Sequence, residues 1–206
     1  GIPLDSPSLS THYLRMIPYG SDTVMSTGTG FLYEFEDEYF LITNGHNITR
    51  TNPEQTQRIT SSAAFPVKIQ TKAKTIPKDM PDSMGLSDLF TVSLYEDEDF
   101  KLPLWYVHPK HGYLVDVVAI PLSKKDLIPE HLRLFPINRF NFDSEYPLFV
   151  ADDVYIFGYL FNLDGSRELP IWKRGTVATE PSVDIDSLPK LLIDTASRSG
   201  MSGSPV

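Results

Sequence analysis

Short runs of apolar or alternating residues, each closed by a turn, recur along the chain. Ser26–Phe35, carrying Gly, Thr and aromatic residues, reads as one strand, and the acidic Glu36-Asp37-Glu38 turn folds it back into a partner over residues 39–43. Upstream, residues 1–12 are rich in Pro and Ser and read as a lead-in, with a short first strand over residues 14–17. Downstream, strands are predicted over residues 65–71, 89–95, 104–109 and 114–122, then 153–159, 171–178 and 190–195. Residues 49–64 show neither helical nor alternating periodicity, and residues 73–87 hold Pro77, Pro81 and Gly85; both stretches read as loops. Short strands at this spacing predict an all-β chain of antiparallel barrels, not βαβ units.

Composition narrows the class. The 206 residues, 41% hydrophobic and 12% aromatic, suit a globular unit with a substantial core. The net charge of −9 advertises no basic face for nucleic acid. With no cysteines, disulfides and thiolate metal sites are excluded, which slightly favours a cytoplasmic enzyme over an exported one that folds without disulfides and has lost its signal. No apolar stretch approaches the ~18 residues of a membrane span, and Gly1-Ile2-Pro3-Leu4-Asp5 is no signal peptide. The acidic groups at 34–38 and 96–99 read as solvated turns.

Three segments carry candidate chemistry. An apolar run, Tyr39-Phe40-Leu41-Ile42, ends at Thr43-Asn44-Gly45-His46. A second run, Leu114 to Leu122, holds one carboxylate, Asp116; inside a buried strand such a group needs a hydrogen-bond donor, and an imidazole N–H is a suitable one. The third is Gly200-Met201-Ser202-Gly203-Ser204-Pro205-Val206, where small residues flank a serine and allow a tight turn with amide N–H groups near its oxygen. Taken singly, a Ser-Gly-Ser-Pro segment is also an ordinary loop, an aspartate can cap a turn, and a histidine can make a structural hydrogen bond. In order they are histidine, aspartate and serine, the order of one of the three unrelated triad arrangements.

Leu41-Ile42-Thr43-Asn44-Gly45-His46, Val115-Asp116-Val117-Val118-Ala119-Ile120 and Gly200-Met201-Ser202-Gly203-Ser204-Pro205 together resemble the motifs of trypsin-like serine proteases, more closely the cysteine-free bacterial type. The resemblance implies two antiparallel six-stranded β-barrels of the chymotrypsin-like kind: residues 1–122 carrying His46 and Asp116, a connector over 123–149, and residues 150–206 carrying Ser202, this second barrel cut short at its C-terminus. It implies a serine endopeptidase acting on peptide or protein substrates in the cleft between barrels, with no metal and no cofactor. His46 would be the general base, Asp116 its orienting carboxylate, Ser202 the nucleophile, and the backbone N–H groups of Gly200 and Ser202 the oxyanion hole. Met201 stands where the family has an aspartate, so activation by insertion of a new N-terminus is not expected. Ala196 and Ser197 fall near the floor of the substrate pocket and suggest a small or apolar residue there. Two other readings stay open: an inactive barrel pair that binds peptides or proteins, and acyl transfer to a non-peptide substrate.

Overall fold

A computed structural model describes residues 6–72, 74–77, 85–86, 89–122, 132–140, 147–160, 169–196 and 200–206. The fold is all-β, as expected, with a chymotrypsin-like arrangement of a large curled sheet beside a smaller one. The first sheet has seven antiparallel strands: β1 (Thr11–Pro18), β2 (Ser26–Phe35), β3 (Glu38–Asn44), β4 (Pro66–Thr71), β7 (Phe90–Ser93), β8 (Tyr106–Val107) and β9 (Val117–Leu122). Their spatial order is β7-β4-β1-β2-β3-β9-β8. Its outermost strands meet through the segment joining them, where Leu104 N–H donates to the Leu94 carbonyl at 2.9 Å and Tyr95 bridges Pro103, so the sheet curls back on itself.

The β2–β3 hairpin forms because Glu36 and Asp37 both take positive φ (48° and 63°), the twist that a tight connection between right-twisted strands demands. Alternation then sets the register Phe35↔Glu38 through Phe31↔Ile42 and turns Leu32 and Leu41 inward. They join Leu14, Met16, Ile69, Val118 and Ile120 in one core inside the curl. Each such side chain contributes about 1.5–3 kcal/mol on burial.

Two further sheets lie alongside. One consists of β5 (Lys74–Pro77), β6 (Gly85–Leu86) and β10 (Leu132–Arg133), in the order β10-β5-β6. Residues 74–77 and 85–86 were expected to be loop, and residues 132–133 connector; Lys74 is instead drawn into the protein interior, which extends its segment into a ladder. The other sheet, β11 (Asp153–Gly158), β12 (Ile171–Val177) and β13 (Ile193–Asp194), falls within the stretch expected to form the second barrel. Helix is confined to α1 (Ser6–Ser10), α2 (Gly45–Thr49) and two single 3-10 turns. No described helix is long and apolar enough to cross a membrane.

Where β1, β5 and β11 converge, polar groups are buried. Lys74 Nζ, its residue 2% exposed, donates to the Thr11 carbonyl and the Tyr159 hydroxyl and lies 5.1 Å from the Tyr159 ring centroid. Burial pulls its pKa down to about 7 and pushes that of Tyr159 up. Neighbouring His12 bonds through Nδ1 to the Lys72 carbonyl (3.0 Å), while its Nε2 is buried with no partner among the described residues. Burial first, then the Lys74 charge, lowers the His12 pKa to about 3.

Candidate active site

His46 sits at the second position of α2, directly beyond β3, so the strand that fills the core also delivers the imidazole. Asp116 was expected inside a strand; it lies one residue before β9, in the left-handed region (φ 55°, ψ 35°) at the end of a 3-10 turn over Tyr113–Val115. That conformation costs a non-glycine residue on the order of 1 kcal/mol. It is offset by the donors that the turn gathers around one residue. The Asp116 carbonyl accepts from Gly45 N–H (3.1 Å) and Asn44 Nδ2 (2.7 Å), and its Oδ1 accepts from His46 N–H (2.9 Å). A Cβ on residue 45 would stand 3.3 Å from that carboxylate, so glycine there permits the close approach.

The second carboxylate oxygen meets the ring. His46 Nδ1 lies 2.6 Å from Asp116 Oδ2, with the two side chains 29% and 23% exposed. A carboxylate accepts only, so Nδ1 carries the proton and Nε2 is left as acceptor. Ser202 Oγ stands 2.5 Å from that Nε2. The structure therefore brings His46, Asp116 and Ser202 into one hydrogen-bonded line from three distant stretches of sequence.

The serine loop is held by the first sheet. Thr29 N–H donates to the Ser202 carbonyl (2.8 Å), Thr29 Oγ1 donates to the Gly200 carbonyl (3.0 Å), and the same oxygen accepts from Tyr159 N–H (3.0 Å). Asn47 Nδ2 adds a bond to the Ser202 carbonyl at 3.2 Å, and Thr43 Oγ1 donates to the Thr29 carbonyl at 2.7 Å. Gly203 takes φ +89°, and a Cβ there would fall 2.0 Å from the Thr29 carbonyl oxygen, so only glycine fits between loop and sheet. The backbone N–H groups of Gly200 and Ser202 make no hydrogen bond among the described residues.

Ala196 lines a cavity of about 470 Å³ beside Ser202, together with His46, Ile156, Lys173, Ile193, Thr195, Gly200 and Met201. Ser197 lies outside the described residues. His108 Nδ1 accepts the amides of Lys110 and His111 and so closes its own turn.

Asn44 was not singled out from the sequence. Its Nδ2 is committed to the Asp116 carbonyl, so Oδ1 faces Ser202, whose hydroxyl lies 2.9 Å away. A hydroxyl has one proton, and two acceptors, His46 Nε2 and Asn44 Oδ1, compete for it. The available signal was its place two residues before His46 at the end of an apolar run, a signal shared with an ordinary Asn-Gly turn and with the N-cap position it takes ahead of α2.

No protein-family model and no curated protein matches this chain. Among solved structures, the chain is similar to the crystal structure of Deg5, with 15% identity over 97% of this chain and 74% of that one, at a TM-score of 0.49. It is also similar to the crystal structure of the serine endoprotease from Yersinia pestis, with 13% identity over 96% of this chain and 48% of that one, again at a TM-score of 0.49.

Proposed function

We propose that the chain is a serine endopeptidase. The observation that carries this reading is the unbroken line Asp116–His46–Ser202, with bonds of 2.6 and 2.5 Å. His46 Nε2 takes the Ser202 proton as Oγ attacks the scissile carbonyl carbon; the C=O electron pair moves onto oxygen, which the Gly200 and Ser202 N–H groups receive. A well-aimed donor of this kind contributes about 3 kcal/mol. The proton on His46 then passes to the leaving amine as the C–N bond breaks, leaving an acyl-serine that water hydrolyses by the same relay. Asp116 keeps the ring in the tautomer that exposes Nε2 and stabilises the transient imidazolium. The substrate is a peptide or protein.

Residues 1–122 and 150–206 are assigned as the two barrels, with residues 123–149 connecting them, so the cleft holds the histidine and aspartate on one wall and the serine on the other. Covalent labelling by a fluorophosphonate, run beside Ser202→Ala and His46→Ala, tests the nucleophile. Labelling is expected for the unaltered chain and lost in both variants; labelling that survives Ser202→Ala refutes the assignment. Casein hydrolysis compared with hydrolysis of a simple ester then separates a peptidase from other acyl transfer, and absence of labelling in a folded chain favours the binding module.

A further inference from the structure

The cleft beside Ser202 contains a charge that the hydrogen-bonded line does not use. In the β11–β12 register Ile156 stands opposite Lys173, and Tyr155 opposite Arg174. Paired residues share a face and neighbours alternate, so one face carries Val154, Ile156, Lys173, Gly175 and Val177, while Asp153, Tyr155, Trp172 and Arg174 occupy the other. Ile193, paired with Val177, and Thr195 two residues on extend the first face. Lys173 is thus the one charged strand residue on that face among the described residues.

The other cations of this region are engaged. Arg174 makes a two-pronged pair with Asp153 (2.8 and 2.7 Å), and Lys190 pairs with Asp186 at 2.9 Å. Among the described residues nothing pairs with Lys173, half-buried beside Ile156 and Ile193. An ammonium on a wall of isoleucines loses part of its hydration and gains no protein partner, which leaves it ready to receive an anion from outside.

The wall is also correctly placed for a substrate. Ile156, Lys173, Ile193, Thr195 and Ala196 line the same 470 Å³ cavity as Ser202. That volume fits one amino-acid side chain with room to spare. We propose that this cavity receives the substrate side chain next to the scissile bond and selects an acidic one, aspartate or glutamate, with Lys173 as the specificity-determining cation. The apolar walls cover the methylenes and the ammonium meets the carboxylate. The proposal rests on Ser202 being the nucleophile, and it replaces the small or apolar preference suggested by Ala196 and Ser197.

The test compares kcat/KM for peptides, acetylated and amidated so that no terminal carboxylate is present, bearing Glu, Gln, Leu or Arg at that position. A charge-assisted hydrogen bond in a half-buried site favours Glu over Gln by about 10- to 100-fold. The wild-type ratio shrinks as salt is raised toward about 1 M. Lys173→Met brings the ratio toward one, and Lys173→Glu turns the preference to Arg. Equal cleavage after Glu and Gln by the wild type overturns the proposal, and so does a ratio that survives in Lys173→Met. If no peptide is cut and no Ser202-dependent labelling occurs, the catalytic reading is what has failed. The subsite is then judged by calorimetric binding of the same peptides to Ser202→Ala: tighter binding of the Glu peptide upholds the proposal, and equal binding of Glu and Gln peptides overturns it.

Discussion

Thr29→Val isolates the joint between the first sheet and the serine loop. The substitution keeps the branched shape of a side chain that is fully buried and removes only its hydroxyl. That hydroxyl donates to the Gly200 carbonyl and accepts from Tyr159 N–H, both at 3.0 Å. Losing two hydrogen bonds at about 1 kcal/mol each, and leaving the buried Tyr159 N–H and the half-buried Gly200 carbonyl poorly satisfied, costs about 2–4 kcal/mol in total. Thr29→Ser keeps the hydroxyl and loses a methyl, at about 1 kcal/mol. Urea unfolding gives the stability change, provided the slope is unaltered. The rate of fluorophosphonate labelling reports the serine loop separately. We expect Thr29→Val to lose about 2–4 kcal/mol and to label more than about tenfold slower, because the peptide of Gly200 is no longer fixed. Thr29→Ser should label near the wild-type rate. If Thr29→Val unfolds within about 1 kcal/mol of wild type and labels normally, the loop does not hang on this hydroxyl and the reasoning fails.

Two further outcomes are expected. Asn44→Ala removes one of two donors to the Asp116 carbonyl and the second acceptor near Ser202, and should lower kcat/KM about five- to tenfold, the equivalent of one neutral hydrogen bond; a rise in kcat/KM would show instead that Asn44 restrains the nucleophile by holding its proton. His12, with a folded pKa of about 3 against 6.5 in the open chain, binds its proton more readily when unfolded. The His12 contribution to stability is therefore fully present above pH 6.5 and is lost on acidification at up to about 1.4 kcal/mol per pH unit, until the folded pKa is reached. Between pH 6.5 and 5, above most carboxylate titrations, urea midpoints should show this slope in the wild type and lose it in His12→Gln; a slope unchanged by the substitution would exclude His12.

Much of the frame is legible in the sequence because its signals are local. The β2–β3 hairpin announces itself by alternation and an acidic turn, and β11 and β12 by short aromatic and β-branched runs closed at each end. The convergence of His46, Asp116 and Ser202 follows from three motifs in order. Other features depend on contacts between distant segments. The stretch 114–122 is apolar almost throughout, so nothing in its pattern marks that the strand begins only at Val117 and leaves Asp116 in a left-handed turn. Nothing in the sequence marks Lys74 or His12 for the interior; only docking of β1, β5 and β11 encloses them. Lys173 sits in Ile171-Trp172-Lys173-Arg174, where two apolar residues precede two basic ones and no alternation says which face the lysine takes. Its facing emerges only from the pairing with Ile156.

The enclosed Lys74 makes assembly a proton-releasing event. In the open chain its amine keeps a proton up to about pH 10.5, and in the closed protein only up to about 7. In mildly alkaline solution each chain that folds must therefore expel close to one hydrogen ion from this lysine. Refolding there acidifies a weakly buffered medium, and the heat evolved changes with the buffer chosen to absorb the ion.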